Sequence, residues 1–199
     1  ESTFRFKIIS NWRNIDKKIF FCFLTLFFLG LFFSFSSTSS LAGERLNKDY
    51  YFYFSRHLIF TFFAITIMVA ISIIETSLLN KIIIPLFIIF FILLLMVPFV
   101  GIEVKGAKRW LDFYFFRLQP IELLKPFFIL VTVQVLNLSQ LKNTQMKYFL
   151  SFLLLSSVIV LLVDQPDLGQ SILLVGGWIA TVFVSGVSFL YILIFFLVF

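Results

Sequence analysis

Charge is what this sequence has least of: only 13% of its 199 residues are Asp, Glu, Lys or Arg, about half the share usual in a soluble domain. With 61% of residues hydrophobic, the polar side chains are too few to cover a water-facing surface, which excludes a soluble globular protein and a disordered chain. Glycine is sparse, with 8 residues and no triplet period, which excludes collagen, and there is no heptad pattern for a coiled coil. The one cysteine, Cys22, lies inside an apolar run. It cannot form an intrachain disulfide, so a disulfide scaffold is excluded and the redox compartment stays open. The one histidine, His57, stands beside Arg56 at the mouth of an apolar run and reads as an interfacial residue. No His or Cys cluster supports a metal site, and no cofactor is evident.

What is there in abundance is phenylalanine, 31 residues, and a mean hydropathy of +1.07. The apolar residues fall into runs of about 20, the length whose helical rise matches a hydrocarbon core of about 30 Å. Six such runs are expected as spans: Ile19 to Ser37, Leu58 to Ile74, Ile82 to Val100, Pro120 to Leu138, Tyr148 to Val163 and Leu168 to Ser185. A seventh begins at Val187 and is cut short, and the chain starts at Glu1 rather than Met, so a piece of a longer membrane protein is expected. The runs lack the alternation of barrel strands. The expected fold is therefore an all-α polytopic membrane protein of about six transmembrane helices, with a cytoplasmic tail over 1–18, a transmembrane domain over 19–199 and an outer interfacial segment over 101–119.

Orientation rests on Lys and Arg placement. With the N-terminus inside, the 16 basic residues divide eight to a side. Five of them, Arg5, Lys7, Arg13, Lys17 and Lys18, precede the first span, and this places the N-terminus in the cytoplasm. The net charge of +6 is scattered through loops with no basic helix or RNA-binding pattern, so no nucleic acid partner is expected. Basic residues between the third and fourth spans oppose insertion. An anionic partner outside would account for them, and so would lipid head groups.

The stretch from Gly101 to Pro126, GIEVKGAKRWLDFYFFRLQPIELLKP, is the least lipid-like part of the chain. Lys105, Lys108 and Arg109 gather around Gly106, which permits close backbone approach, and Trp110 follows as an interfacial anchor. Phosphate oxygens are held by such a group, with Arg supplying a planar fork and Lys a point charge. Trp110, Phe113, Tyr114, Phe115 and Phe116 suggest a segment lying in the interface plane. After Gln119, Pro120 opens a helix on which Glu122 and Lys125 share a face, and Pro126 removes the N–H that would bond the Glu122 carbonyl. An ionisable pair just inside a span is a functional candidate, with a self-neutralising structural pair as the alternative. DQPDLGQ, Asp164 to Gln170, repeats the device: Pro166 is placed to open the next helix, and Asp167 falls in its first turn, as a cap or as a site residue. Asp164 could pair with the basic cluster, both loops being on the outer side.

Taken together these motifs resemble the FtsW/RodA family, also called SEDS proteins: polytopic peptidoglycan glycosyltransferases that act on lipid II outside the cytoplasmic membrane. EVKGAKRWL (Glu103 to Leu111) is similar to the family's NGA-R-RWL signature, QPIELLK (Gln119 to Lys125) to QPSELAK, and QPDLGQ (Gln165 to Gln170) to QPDLGT. FSFSSTSS (Phe33 to Ser40) and FSRHLIF (Phe54 to Phe60) resemble the end of the family's first span and the entry of its second. Lys105 stands in place of the usual Asn, Ile121 in place of Ser, and DFYFF (Asp112 to Phe116) in place of a shorter Gly-containing turn. GERLN (Gly43 to Asn47) and the EVKGAKRW and LLKP wording look closer to the division-associated branch than to the elongation branch.

The resemblance implies a ten-helix protein of which this is roughly the first six and part of the seventh. It places the essential Asp, the general base on the acceptor hydroxyl, in an outer loop beyond this chain. It implies lipid II as substrate at the division septum, a class B penicillin-binding protein transpeptidase and other division proteins as partners, and contact with membrane lipids. On that reading Glu122 and Lys125 form a catalytic pair that orients the missing Asp, while Lys105, Lys108, Arg109, Gln119 and Asp167 contact substrate. Two other classes compete: a lipid II flippase, and a non-catalytic scaffold that recruits a transpeptidase. A transporter tends to place its charges near the midplane, whereas here they crowd the span ends. A scaffold has no need of an embedded Glu122 and Lys125.

Overall fold

The computed structural model describes residues 16–38, 51–104, 106–114, 116–141 and 143–186. Among the described residues, six helices and three short strands run in the order α1 (Lys17–Thr38), α2 (Phe52–Ile73), α3 (Thr76–Val100), β1 (Ile102–Val104), β2 (Ala107–Asp112), β3 (Arg117–Leu118), α4 (Pro120–Leu136), α5 (Thr144–Asp164) and α6 (Leu168–Val184). The six expected spans are six helices, and four of them, α1, α2, α3 and α5, are long and apolar enough to cross a membrane. With its family, described below, this makes the chain a multi-pass membrane protein. The expected tail over 1–18 up to residue 15, GERLN, the last two residues of FSFSSTSS, Phe115 and the seventh span lie outside the described residues.

Boundaries move where local chemistry outweighs hydropathy. Asp16 starts α1 by accepting from the backbone N–H of Lys18 (2.9 Å) and Ile19 (3.3 Å), so two lysines fall inside the helix. In the same way Asn143 caps α5 by accepting from Gln145 N–H at 3.0 Å, which begins the helix at Thr144 rather than Tyr148. The second helix takes in Arg56 and His57, a full turn earlier than the apolar run predicts.

The chain divides into two compact units, 1–79 and 80–199. In the first, α1 and α2 pair through rings: Phe35 meets Phe54 edge-on at 5.3 Å and stacks on Tyr51 at 6.2 Å. Gly30 leaves room for His57, whose Cε1 would sit 3.7 Å from a Cβ there. Most of the apolar surface of this hairpin is exposed, as suits lipid contact.

The second unit is built around α4. Its Ile121, Leu124, Phe128 and Val131 recur at three- and four-residue spacing and are buried with Ile83, Phe87 and Leu94 of α3, Leu155, Val158 and Leu162 of α5, and Leu174, Trp178 and Val182 of α6. Gly177 lets α6 close on α4, since a Cβ would lie 2.9 Å from Ile129 Cδ1. Trp178 Nε1 donates to Ser151 Oγ at 3.3 Å, tying α6 to α5 in the buried layer. Gln134 Nε2 donates to Asn80 O at 3.2 Å and ties α4 to α3.

Between α3 and α4 the expected interfacial segment is a three-stranded antiparallel sheet in the order β1–β2–β3. Gly101 ends α3, its N–H bonding Val97 O at 2.8 Å, and any Cβ there would collide with that oxygen. Gly106, with φ +80°, supplies the turn into β2. The aromatic run forms the β2–β3 connection. Phe113 N–H bonds Phe116 O at 3.0 Å, the two rings stack at 5.4 Å, and Asp112 Oδ1 accepts from Tyr114 N–H at 3.0 Å.

Candidate functional site

The register of the sheet aims Arg109. Ile102 pairs with Trp110 while its neighbour Glu103 pairs with Lys108. Arg109 is thus the extra residue of a bulge, the device that turns one side chain out of a strand's alternation. Its side chain crosses to the corner between α5 and α6, where Nε donates to Gln165 O at 3.2 Å and Nη2 to Pro166 O at 2.6 Å. Nε also stands 3.8 Å from Asp167 Oδ2. The same carboxylate oxygen accepts from Gln119 Nε2 at 3.2 Å.

Gln119 and Asp167 are the N-cap residues of α4 and α6, and neither uses its side chain to cap its own helix. Each faces the other helix instead, so Asp167, expected in the first turn as a cap or as a site residue, stands at the N-cap position without capping through its side chain. Pro166 does not open α6; it precedes the Asp167 N-cap. Asp167 is buried with a side chain 9% exposed, against 35% for Arg109, so the pair is desolvated mainly on the carboxylate side. Gln165, also buried, donates from Nε2 to Leu94 O at 3.5 Å.

One turn farther along both helices stands a second cluster. Lys125 Nζ lies 2.8 Å from Glu122 Oε2, the i,i+3 pair expected from sequence. Gln170 closes it from α6: its Oε1 accepts from Lys125 Nζ at 2.7 Å and its Nε2 donates to Glu122 Oε1 at 2.5 Å. Residues 119, 122 and 125 on α4 therefore face 167 and 170 on α6 as a two-rung polar ladder across an otherwise apolar contact. Its formal charge cancels, two cations against two carboxylates, so a net anion-binding potential must come from basic residues beside it.

Lys108 is one such residue, exposed, with Nζ 3.4 Å from Pro98 O. Lys105 lies outside the described residues. Asp164 is exposed and forms no ion pair among the described residues; Asp167 is the acid that meets Arg109. Arg117 pairs with Asp112 at 3.4 Å on the exposed far strand. The sheet and the α5–α6 corner do share one end of the unit, as the loop assignment required. Sequence reasoning missed Gln165 and Gln170 as participants. The available signal was register, since Gln170 sits three residues after Asp167 and so falls beneath it on the same helix face.

Among known proteins, this chain is 32% identical over 180 residues to the probable peptidoglycan glycosyltransferase FtsW of Wigglesworthia glossinidia brevipalpis, covering 87% of this chain and 46% of that protein. It is 29% identical over 177 residues to the probable FtsW of Caulobacter vibrioides, covering 88% and 45%. The chain thus spans about half the length of the curated relatives it matches. In structure it is similar to a chain of a peptidoglycan synthase complex described as coordinating polymerization and crosslinking, with TM-score 0.74 and 24% identity over 89% of this chain and 51% of the other. It is similar also to the rod shape determining protein RodA of Thermus thermophilus, with TM-score 0.64 and 26% identity over 83% and 56%. Residues 16–199 match the family described as cell cycle proteins, so that with the ladder motifs in place the chain belongs to the FtsW/RodA/SpoVE family.

Proposed function

We propose that the protein containing this chain is a peptidoglycan glycosyltransferase that polymerises lipid II at the outer face of the cytoplasmic membrane, at the division septum. The observation that carries this reading is the polar ladder at one end of α4 and α6, two ion pairs maintained beside a largely apolar bundle core. Buried or half-buried charges are costly there and mark function more often than support.

Glycosyl transfer from a polyprenyl pyrophosphate needs a base on the attacking hydroxyl and cations on the departing pyrophosphate. In this proposal the base comes from a segment beyond the chain. Lys125, 23% exposed on its side chain and held by Glu122, is the cation nearest the reacting centre, and the pair orients the incoming base. Lys105, Lys108 and Arg109 meet the pyrophosphate, Arg109 through the part of its guanidinium not turned to the α5–α6 corner. Gln119 and Asp167 keep Arg109 in place. The N-terminus is cytoplasmic, which puts the sheet and the ladder outside. The partner is a class B penicillin-binding protein transpeptidase, in keeping with the crosslinking named for the similar synthase complex.

The test is lipid II polymerisation by the full-length protein with its transpeptidase, wild type against Lys125→Ala at matched membrane levels. Loss of glycan product with partner binding intact is expected; normal synthesis would defeat the reading. A scaffold is the second reading, and one observation favours it: every charge in the ladder already has an internal partner. Under that reading Lys125→Ala leaves both polymerisation and recruitment unchanged.

A further inference from the structure

We propose that Gln170 is a positioning residue, one that acts on the chemistry through Glu122 and Lys125 without itself touching substrate. The proposal rests on the function proposed above for that pair.

The geometry carries it. Glu122 and Lys125 belong to one helix, and an i,i+3 pair on a helix surface is a weak constraint. With side chains 49% and 23% exposed, the two could exchange partners with water and sample several rotamers. Gln170 removes that freedom because a primary amide is the one neutral side-chain group that offers a strong acceptor and two donors about 2.3 Å apart. Its oxygen takes Lys125 Nζ at 2.7 Å while its nitrogen serves Glu122 Oε1 at 2.5 Å. Reversing the amide would place donor against ammonium and acceptor against carboxylate, so both charges vote for the same orientation. Hydrogen bonds to ionised partners are the strong class.

The closed three-membered ring also refers the pair to a second helix. Through Gln170 the ammonium of α4 is fixed relative to α6, whose first residues carry the Asp167 contacts to Arg109 and Gln119. The two rungs are therefore in register, and displacement of either helix would move both. Positioning at this precision is what lowers a barrier that depends on orientation. In the family pattern quoted above, Thr occupies this place. A Thr hydroxyl also donates and accepts, though from a shorter stem.

The experiment uses full-length protein with its transpeptidase and measures kcat and KM for lipid II polymerisation alongside thermal melting. Gln170→Leu should lower kcat about tenfold or more with KM and melting temperature little changed, and Gln170→Thr should recover most of it. In a Glu122→Gln background, Gln170→Leu should cost much less than it does alone, since the ring is already broken. If Gln170→Leu does not accumulate in membranes, Gln170→Glu takes its place: it keeps size and polarity, cannot donate to Glu122 when ionised, and should show the same kcat loss. Wild-type turnover in Gln170→Leu, or in Gln170→Glu where that replaces it, would overturn the proposal, as would a loss that multiplies fully with Glu122→Gln. The reading of Glu122 and Lys125 fails separately: a fully active Lys125→Ala removes both proposals, whereas an inactive Lys125→Ala with an active Gln170→Leu removes only this one.

Discussion

Each rung of the ladder joins one cation, one carboxylate and one glutamine, and the two differ in what anchors them. In the upper rung Arg109 is bound to two backbone carbonyls and to a carboxylate that is 9% exposed, so its partners cannot move without moving the α5–α6 corner. In the lower rung Glu122, Lys125 and Gln170 hold only one another's side chains, and the carboxylate is 49% exposed. The upper rung is tied to backbone and the lower rung to side chains alone. Changes above should appear first as lost stability, and changes below as lost activity.

The sharpest way to break that contrast is Lys125→Ala. It should reduce polymerisation by a hundredfold or more while costing under about 1 kcal/mol of stability, because the pair is partly solvated; calorimetry in detergent beside the glycan assay checks both. Next comes Asp167→Ala, which strands the Arg109 guanidinium and the Gln119 amide beside a buried gap. A loss of about 3 kcal/mol is expected, read as a lower melting temperature, with Asp167→Asn milder. Arg109→Lys should follow at about 1–2 kcal/mol, since an ammonium cannot serve two carbonyls and a carboxylate with a planar fork. The smallest effect is Arg117→Ala, whose exposed pair with Asp112 should be worth less than about 0.5 kcal/mol by the same melting measurement. A stability loss at Lys125 larger than that at Asp167 would reverse the assignment of the rungs.

Much of this arrangement is legible in the residues. Apolar runs locate all six helices, Gln119–Pro120 marks the start of α4, and the spacing of Glu122 and Lys125 places them on one face. The sheet was not legible. Strict alternation would put Ala107, Arg109 and Leu111 on the same face, and a cation between two buried residues does not look like a strand. The bulge at Arg109 resolves the conflict, but it is created by pairing with β1 and has no local mark. Asp167 and Gln119 carry helix-start chemistry in sequence, yet each finds a stronger partner across the bundle, which only the tertiary structure supplies. Gln170 is an ordinary polar helix residue until α4 is packed against it.

One hydrogen bond described above fixes a difference in depth. Gln165 Nε2 reaches Leu94 O, which sets the α5–α6 corner level with a residue six positions before the end of α3 at Val100. At helical rise that is about 9 Å below the tip of α3. With α4 and α6 at 17 residues each, about 25 Å, these helices fall short of a hydrocarbon slab of about 30 Å. A helix shorter than the slab is accommodated by local thinning, by snorkelling of flanking residues or by association with other helices. The upper rung of the ladder, held to that corner by Arg109, therefore lies below the tip of α3 rather than level with it.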